Sequence, residues 1–377
     1  MKKIAVLGGG MMGSAIAIDL SSGYAVEVLD LKENKKLSDR LKQLNIKTTL
    51  ADLTDFKSIS HLIKEADLII GAVPGYLGFK VLKDVLKAGK NIVDISFFSE
   101  NPFQLNEMAE RKNLTAVVDC GVSPGLSNLI LGYHNKKMKV EFYECLVGGL
   151  PFRRSLPFEY SASFSPIDVI EEYTRPARLM ENGKIVVKPP LSELENLEIE
   201  PIGTLECFNT DGLRTILKTM LIPNMKEKTL RYPGHISKIK FLTDCGFFNS
   251  ESIKINGNSI RPIDFTAKIL LPIWKQEKSK DEFTFMKIII RGKEKGKPKE
   301  HIYELFDRYD KKTGTTSMAR TTGYTCTGAA KLILEEKFLK KGICPPEYIG
   351  EDENCFVEIM NHLSTRNIKL KHIERDI

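Results

Sequence analysis

Three glycines carry the first legible chemistry of this chain. Gly8-Gly9-Gly10-Met11-Met12-Gly13 follows directly on the apolar run Ile4-Ala5-Val6-Leu7 and matches a GxGxxG spacing at 8, 10 and 13. In such a turn Gly8 permits the tight reversal, Gly10 leaves the backbone bare for a pyrophosphate, and Gly13 lets the next helix lie close on the strand. The helix start at Met11 and Met12 then offers free N–H groups and a favourable dipole to phosphate. A glycine-rich turn alone is a weak sign, but here the next apolar run, Ala25-Val26-Glu27-Val28-Leu29, ends at Asp30. That acid stands where a carboxylate accepts from the ribose hydroxyls of a dinucleotide. It also repels a 2′-phosphate, which favours NAD over NADP. Lys32, Lys35 and Lys36 lie just beyond and would serve NADP if the loop folded back. Asp52-Leu53 closes the third strand where an adenine contact falls, although Asp52 reads equally as a cap near Asp55. Ala72-Val73-Pro74 ends the fourth strand at the edge where ligands gather in open α/β sheets.

The elements that position these residues read as βαβ units. Short apolar runs near 4–7, 25–30, 46–51, 67–73, 91–95, 115–119 and 139–147 alternate with helical stretches such as 55–66 and 102–112, which predicts a doubly wound parallel sheet of the Rossmann type. After about residue 150 the texture changes to hairpins. Residues 177–181 and 184–188 flank Asn182-Gly183, a second hairpin spans 252–261, and a third pairs 282–291 with 301–309. This part reads as an α+β substrate domain with a mixed or antiparallel sheet. Helical patterns return from Thr321, over 329–334 and 356–363. The expected organisation is a nucleotide domain over 1–125, a substrate and dimerisation domain over 126–317, and a helical segment over 318–377 that rejoins the first domain, with a cleft between domains.

Composition narrows the classes. With 377 residues, 42% hydrophobic and 28% charged, the chain is ordinary globular protein long enough for two cores. No apolar run approaches the roughly 20 residues of a membrane span, and no secretory leader is legible, so a cytoplasmic protein is expected. Seven cysteines without a CxxC pair suit neither a disulfide framework nor a zinc site, and no metal is expected. The net charge of +7 comes from scattered lysines without interleaved aromatics, which argues against nucleic acid.

Several segments resemble the saccharopine dehydrogenase-like family. They are the glycine turn, Asp52-Leu53-Thr54-Asp55, Asn91-Ile92-Val93-Asp94-Ile95-Ser96, Val118-Asp119-Cys120-Gly121-Val122-Ser123-Pro124-Gly125, and Ser163-Phe164-Ser165-Pro166. The likeness continues through Glu171–Ala177, Thr210–Thr215, Thr229–His235 and Met318–Gly323. The middle motifs look most like the lysine 6-dehydrogenase branch. The resemblance implies NAD-linked oxidation of the ε-amino group of L-lysine to an aldehyde that cyclises, with release of ammonia, in a homodimer or higher oligomer. It equally admits a saccharopine dehydrogenase acting on a secondary amine, whose three carboxylates would call on Arg153, Arg154 and Arg175. From another class, a non-catalytic nucleotide sensor would keep the glycines and Asp30. One departure, Tyr324-Thr325-Cys326-Thr327 after Thr-Thr-Gly, is expected to bring extra hydroxyls to the cleft.

Amine oxidation defines what else to look for. An ammonium has no lone pair to expel hydride, and a lysine amine titrates near ~10.4, so a proton acceptor must stand close. The candidates are Asp94 and Asp119 at strand ends, and Asp211 and His235 in the substrate domain; each also reads as a turn, cap or helix-start residue. Both strand ends are expected at the cofactor edge, where either Asp94 or Asp119 would face the nicotinamide, and Asp94 is also expected to bind the cofactor. An α-carboxylate needs a guanidinium or a helix start, which points to Arg214 or Arg231, with Tyr232 beside the latter. Ser163 and Ser165 offer hydroxyls, and Thr321 and Thr322 are expected to open the last helix with free N–H groups.

Overall fold

The computed structural model describes residues 1–32, 35–162, 166–274 and 281–377, with the side chains of 35–38 and 166–167 excepted. The first stretch runs β1 (Lys3–Leu7), α1 (Met11–Leu20), β2 (Ala25–Asp30), α2 (Lys35–Gln43), β3 (Lys47–Leu50), α3 (Phe56–Leu62), β4 (Leu68–Gly71), α4 (Gly75–Lys87), β5 (Ile92–Asp94), α5 (Asn106–Arg111), β6 (Thr115–Val117) and α6 (Leu126–Lys137). The middle continues with β7 (Lys139–Pro151), α7 (Pro166–Thr174), β8 (Ala177–Glu181), β9 (Lys184–Lys188), β10 (Glu195–Ile199), β11 (Gly203–Asn209), α8 (Ile216–Thr219), β12 (Asn224–Arg231), α9 (His235–Asp244), β13 (Ile253–Ile255), β14 (Asn258–Ile260), α10 (Pro262–Trp274), β15 (Glu282–Glu294) and β16 (Lys297–Arg308). The chain ends through α11 (Ser317–Leu334), β17 (Gly342–Cys344), α12 (Pro346–Gly350), α13 (Glu353–Thr365) and β18 (Leu370–Asp376).

These elements form two compact units, one of residues 1–139 and 318–369, the other of 140–317 and 370–377. Relative to the boundaries expected at 125 and 317, α6 stays with the first unit and β18 goes to the second.

In the first unit seven parallel strands follow the order β17-β6-β5-β4-β1-β2-β3. Ile4 to Leu7 and Leu68 to Gly71 are buried without alternation, as a sheet covered on both faces requires. The run at 139–147, expected in this sheet, belongs to the other one. Its place as seventh strand is taken by β17, from near the end of the chain. The C-terminal helices also return here. Thr327 on α11 donates to the Asp19 carboxylate at 2.6 Å, Arg366 donates to it at 2.6 Å, and His362 lies 2.8 Å from the Thr327 hydroxyl. Burial alone would raise the Asp19 carboxyl, but His362, Arg366 and Thr327 hold it below the usual range.

The second unit holds a nine-stranded mixed sheet with the path β10-β11-β12-β7-β15-β16-β18, β8 pairing with β12 and β9. Its core gathers Tyr173, Phe208, Leu230, Ile236, Trp274, Phe283 and Phe285. Three hairpins turn on left-handed pairs, Asn182-Gly183, Asn256-Gly257 and Lys295-Gly296, all with positive φ. All seven cysteines are free, and only Cys245 is exposed. No helix among the described residues is long and apolar enough to cross a membrane.

Candidate active site

The glycine turn has the geometry its spacing requires. A side chain at Gly8 would meet the Ala72 carbonyl at 2.3 Å, and Gly8 takes φ +106°, open to glycine alone at this packing. A Cβ on Gly13 would lie 1.8 Å from the Gly8 carbonyl, so α1 can pack on the turn only with glycine there. At Gly10, by contrast, nothing stands within 4 Å of where a Cβ would be, which is the bare backbone a pyrophosphate needs. α1 begins at Met11 with no side-chain cap and no acid in its first turn, leaving the donors of Met11, Met12 and Gly13 to a ligand. Asp30 is already oriented. Its carboxylate accepts the Gly9 N–H at 2.5 Å and the Lys32 N–H at 3.1 Å. The residues present therefore fit a dinucleotide with its phosphates on α1 and its ribose at Asp30.

Around this cradle, Asp52 is exposed and closes its own turn, accepting from the Thr54 N–H at 2.8 Å and its hydroxyl at 2.7 Å. The Thr54 hydroxyl and amide hold the Asp52 carboxyl below its ordinary value. Asp55, not Asp52, caps α3. Leu53 is buried in the core, so it supports the strand end from below. Val73 is buried, and Pro74 caps α4 at the same edge of the sheet. Lys35 and Lys36 have side chains outside the described residues.

Of the four proton-acceptor candidates, two stand at the ends of adjacent strands in this unit. Asp94 is fully buried and accepts from the Ser96 N–H at 2.8 Å and hydroxyl at 3.2 Å. It also packs against Gly71, where a Cβ would lie 1.9 Å from its carboxylate. Asp119 is buried in a left-handed conformation, φ 55°. The other two are occupied by structure. Asp211, read from sequence as a helix cap, instead grips Arg178 in a bidentate pair at 2.8 Å and accepts its backbone N–H, fastening β8. The short helix that follows starts instead after Thr215.

His235 lies in a buried chain of contacts. Its Nδ1 is 2.9 Å from the Phe158 carbonyl, which can only accept, so Nδ1 carries the proton. Nε2 then accepts from the Tyr173 hydroxyl at 2.9 Å, and that hydroxyl accepts from Arg231 Nε at 3.0 Å. Burial, reinforced by the Arg231 charge, pulls the imidazole down to about 3. A ring neutral and bonded on both nitrogens is no base near neutrality. Arg231 completes the chain by donating to Glu172 at 2.7 Å and to the Leu230 carbonyl at 2.9 Å. Its guanidinium also lies 4.4 Å from the Tyr160 ring centre. Fully enclosed, it balances Glu172 and is not placed to receive a substrate carboxylate. Tyr232 likewise donates to the Pro151 carbonyl at 2.9 Å.

The other arginines divide similarly. Arg154 pairs with Glu159 at 2.5 Å and Arg175 with Glu171, whereas Arg153 is exposed. Arg214 is buried with φ 47° in the loop before α8. Thr321 and Thr322 do not open α11, which starts four residues earlier at Ser317, so their N–H groups belong to the helix ladder. Thr322 is half-buried beside Gly121. The expected extra hydroxyls at 324–327 are turned to structure: Thr325 donates to Thr321 and Thr327 to Asp19. Ser163 and Ser165 lie outside the described residues. Sequence reasoning assigned no role to Tyr173, Glu172 or Arg178; the first two lie in the Glu171–Ala177 segment that carries the resemblance, and Tyr173 packs in the core with Val169 and Ile170.

Comparison with known proteins agrees with this picture. The model of the saccharopine dehydrogenase NADP binding domain matches residues 4–117, and that of the saccharopine dehydrogenase C-terminal domain matches 121–368. An Arabidopsis thaliana alpha-aminoadipic semialdehyde synthase is 25% identical over 251 residues, covering 61% of this chain and 23% of that protein. A saccharopine dehydrogenase [NADP(+), L-glutamate-forming] of Pyricularia oryzae is 26% identical over 286 residues, covering 71% of this chain and 63% of that protein. The chain thus spans between about a quarter and under two thirds of the length of these relatives. The apo saccharopine dehydrogenase (L-Glu forming) of Saccharomyces cerevisiae superposes with a TM-score of 0.79 at 19% identity over the full length of both chains, a likeness of fold.

Proposed function

The chain belongs to the saccharopine dehydrogenase family, and from that premise we propose that it is a pyridine-nucleotide oxidoreductase acting on the amine-bearing ε-carbon of a lysine-derived amino acid. The observation that carries this reading is the cradle of Gly8, Gly10, Gly13 and Asp30 within a chain matched by both family domains. When bound, the nucleotide supplies the acceptor for hydride. The chain's residues hold its phosphates on α1 and its ribose at Asp30. The substrate amine must lose a proton first, and we assign that proton to Asp94 or Asp119, which stand at the ends of adjacent strands in the unit that carries the glycine turn. Arg214, buried in the loop before α8, is the guanidinium we assign to the α-carboxylate; Arg231 is paired with Glu172.

Within this chemistry the first reading is oxidative deamination of L-lysine with NAD. It is supported by Asp30, whose carboxylate disfavours a 2′-phosphate, and by the carboxylate partners of Arg154, Arg175 and Arg231. Those pairs suit a substrate with one carboxylate better than one with three. The second reading, oxidation of the secondary amine of saccharopine with NADP, is supported by the names of the relatives and of the nucleotide-binding domain.

The deciding experiment follows NADH and NADPH formation by the purified protein with L-lysine and with saccharopine, and assays ammonia. Turnover of lysine with NAD and release of ammonia supports the first reading. Turnover of saccharopine alone supports the second, and no turnover of either substrate with either nucleotide would overturn both.

A further inference from the structure

Asparagine meets glycine at two places in the chain, Asn182-Gly183 and Asn256-Gly257. Both are exposed hairpin turns in the left-handed region, with φ of 50° and 75° at the first and 50° and 86° at the second. The pair is chemically reactive as well as conformationally apt. With no Cβ in the way, the backbone nitrogen of the glycine can reach the side-chain amide carbon of the asparagine and attack it. A turn held shut by its neighbours keeps that nitrogen bonded and out of line, so the reaction waits on local opening.

The first turn is held. The Gly183 N–H donates to the Pro223 carbonyl at 2.8 Å, and the Asn182 N–H donates to the Asn224 side-chain oxygen at 3.1 Å. Its strands β8 and β9 pair over five residues, Ala177 and Leu179 are buried, and Arg178 is clasped by Asp211. The second turn has none of this support. The hairpin β13–β14 has three residue pairs and is a sheet to itself, a structure that is marginal alone in water. Every residue from Glu251 to Ser259 is exposed. Among the described residues, nothing accepts from the Gly257 N–H and nothing bonds the Asn256 side chain. Opening this hairpin breaks few hydrogen bonds and bares little apolar surface, which sets its cost at the low end of local unfolding.

We propose that Asn256 is a site of spontaneous covalent modification, deamidation through a cyclic imide, and that Asn182 is protected from the same reaction by the bonds on its turn. Hydroxide removes the Gly257 N–H proton, and the nitrogen attacks the Asn256 Cγ. The new C–N bond closes a five-membered succinimide as the bond from Cγ to Nδ2 breaks and Nδ2 leaves as ammonia. Water then opens the ring at either carbonyl. One opening leaves aspartate; the other leaves isoaspartate, in which the main chain runs through the former side chain and the former backbone carbonyl becomes a free carboxylate. The net change consumes one water and releases one ammonia, with nothing oxidised or reduced. Either product adds a negative charge to the turn. The isoaspartyl form also lengthens the backbone by one carbon, which a two-residue hairpin turn cannot absorb in register.

Ageing the folded full chain in mildly alkaline buffer, followed by peptide mass spectrometry, tests this assignment. The peptide carrying Asn256 should gain one mass unit at least about ten-fold faster than the one carrying Asn182, in proportion to how much more often its turn opens. The aged chain should accept methyl from S-adenosylmethionine through an isoaspartyl methyltransferase, and Asn256→Gln should remove most of that signal. Asn224→Ala, which takes away the acceptor of the Asn182 N–H, should speed conversion at Asn182. Hydrogen exchange gives an independent readout: amides of 253–260 should exchange fast while those of 177–188 stay protected. Conversion at Asn182 as fast as at Asn256 overturns the proposal. So does an Asn256 that stays intact while the urea-unfolded chain converts in the same buffer, or a β13–β14 hairpin as protected as β8–β9.

Discussion

At the scale of single residues, Asp30 and His235 are both held by their hydrogen bonds, with opposite consequences. The two backbone donors on Asp30 fix the carboxylate where we propose the ribose binds, so its removal should cost affinity without disturbing the fold. Asp30→Ala is expected to raise the KM for NAD about 10- to 100-fold, as loss of a charged hydrogen bond implies, and to shrink any NAD over NADP preference. Steady-state kinetics with both nucleotides check this, and a wild type that prefers NADP would refute the role given to Asp30. His235 instead belongs to the fold. Its pKa of about 3 lies below the unfolded value near ~6.5, so the unfolded chain takes up a proton first as pH falls. This contribution is whole above ~6.5 and is lost as pH drops toward 3. The loss should amount to about 2 kcal/mol by about pH 5. Trp274, the sole tryptophan, meets Tyr173 edge to face with ring centres 6.0 Å apart and reports on this core. Urea midpoints read from its fluorescence should fall between about pH 7.5 and 5, and His235→Gln should flatten that fall.

At the scale of elements, the seams are where side chains of distant segments share one charge. α1 carries both the glycine turn proposed to hold phosphate, at its start, and, at its far end, the Asp19 carboxylate that α11 and α13 grip through Thr327 and Arg366. Replacing Asp19 by Ala leaves Arg366 and Thr327 facing a hole in a mostly buried site. The expected cost is about 3 kcal/mol, with nucleotide affinity reduced because α1 loses its anchor. Thermal unfolding with and without NAD measures both effects; unchanged melting would show that the clasp contributes nothing. The periodicity of α1 and α11 was legible in the sequence, whereas the clasp was not, because Asp19 and Arg366 are joined only by folding. The same limit misread Thr321 and Thr322, since a helix start is set by what precedes it, and Ser317 carries its N–H to the Glu282 carboxylate.

At the scale of the whole molecule, the chain crosses between its two units more than once, and its last strand closes the second. β18 pairs antiparallel with β16 from Lys299–Asp376 to Leu305–Leu370. Ending the chain at Lys369 would keep the first unit entire and strip the edge of the other sheet. Such a variant is expected to lose a few kcal/mol of stability at Trp274 and to aggregate on warming, which fluorescence melts and light scattering would detect. Local signals in the sequence were enough for the conformation of the glycine turn, the first six parallel strands and the three hairpins, because each depends on neighbours in the chain: glycine spacing, apolar runs, and Asn-Gly or Lys-Gly at positive φ. Tertiary structure alone decided the rest. β7 has the period of a strand, but which sheet it joins depends on its partners β12 and β15; β17 is three residues long and carries no period at all. His235, Asp211 and Arg231 have the side chains of catalytic and binding groups, yet their roles were decided by Tyr173, Arg178 and Glu172. A titratable group's chemistry is set by its burial and its partners, and those exist only once the chain has folded.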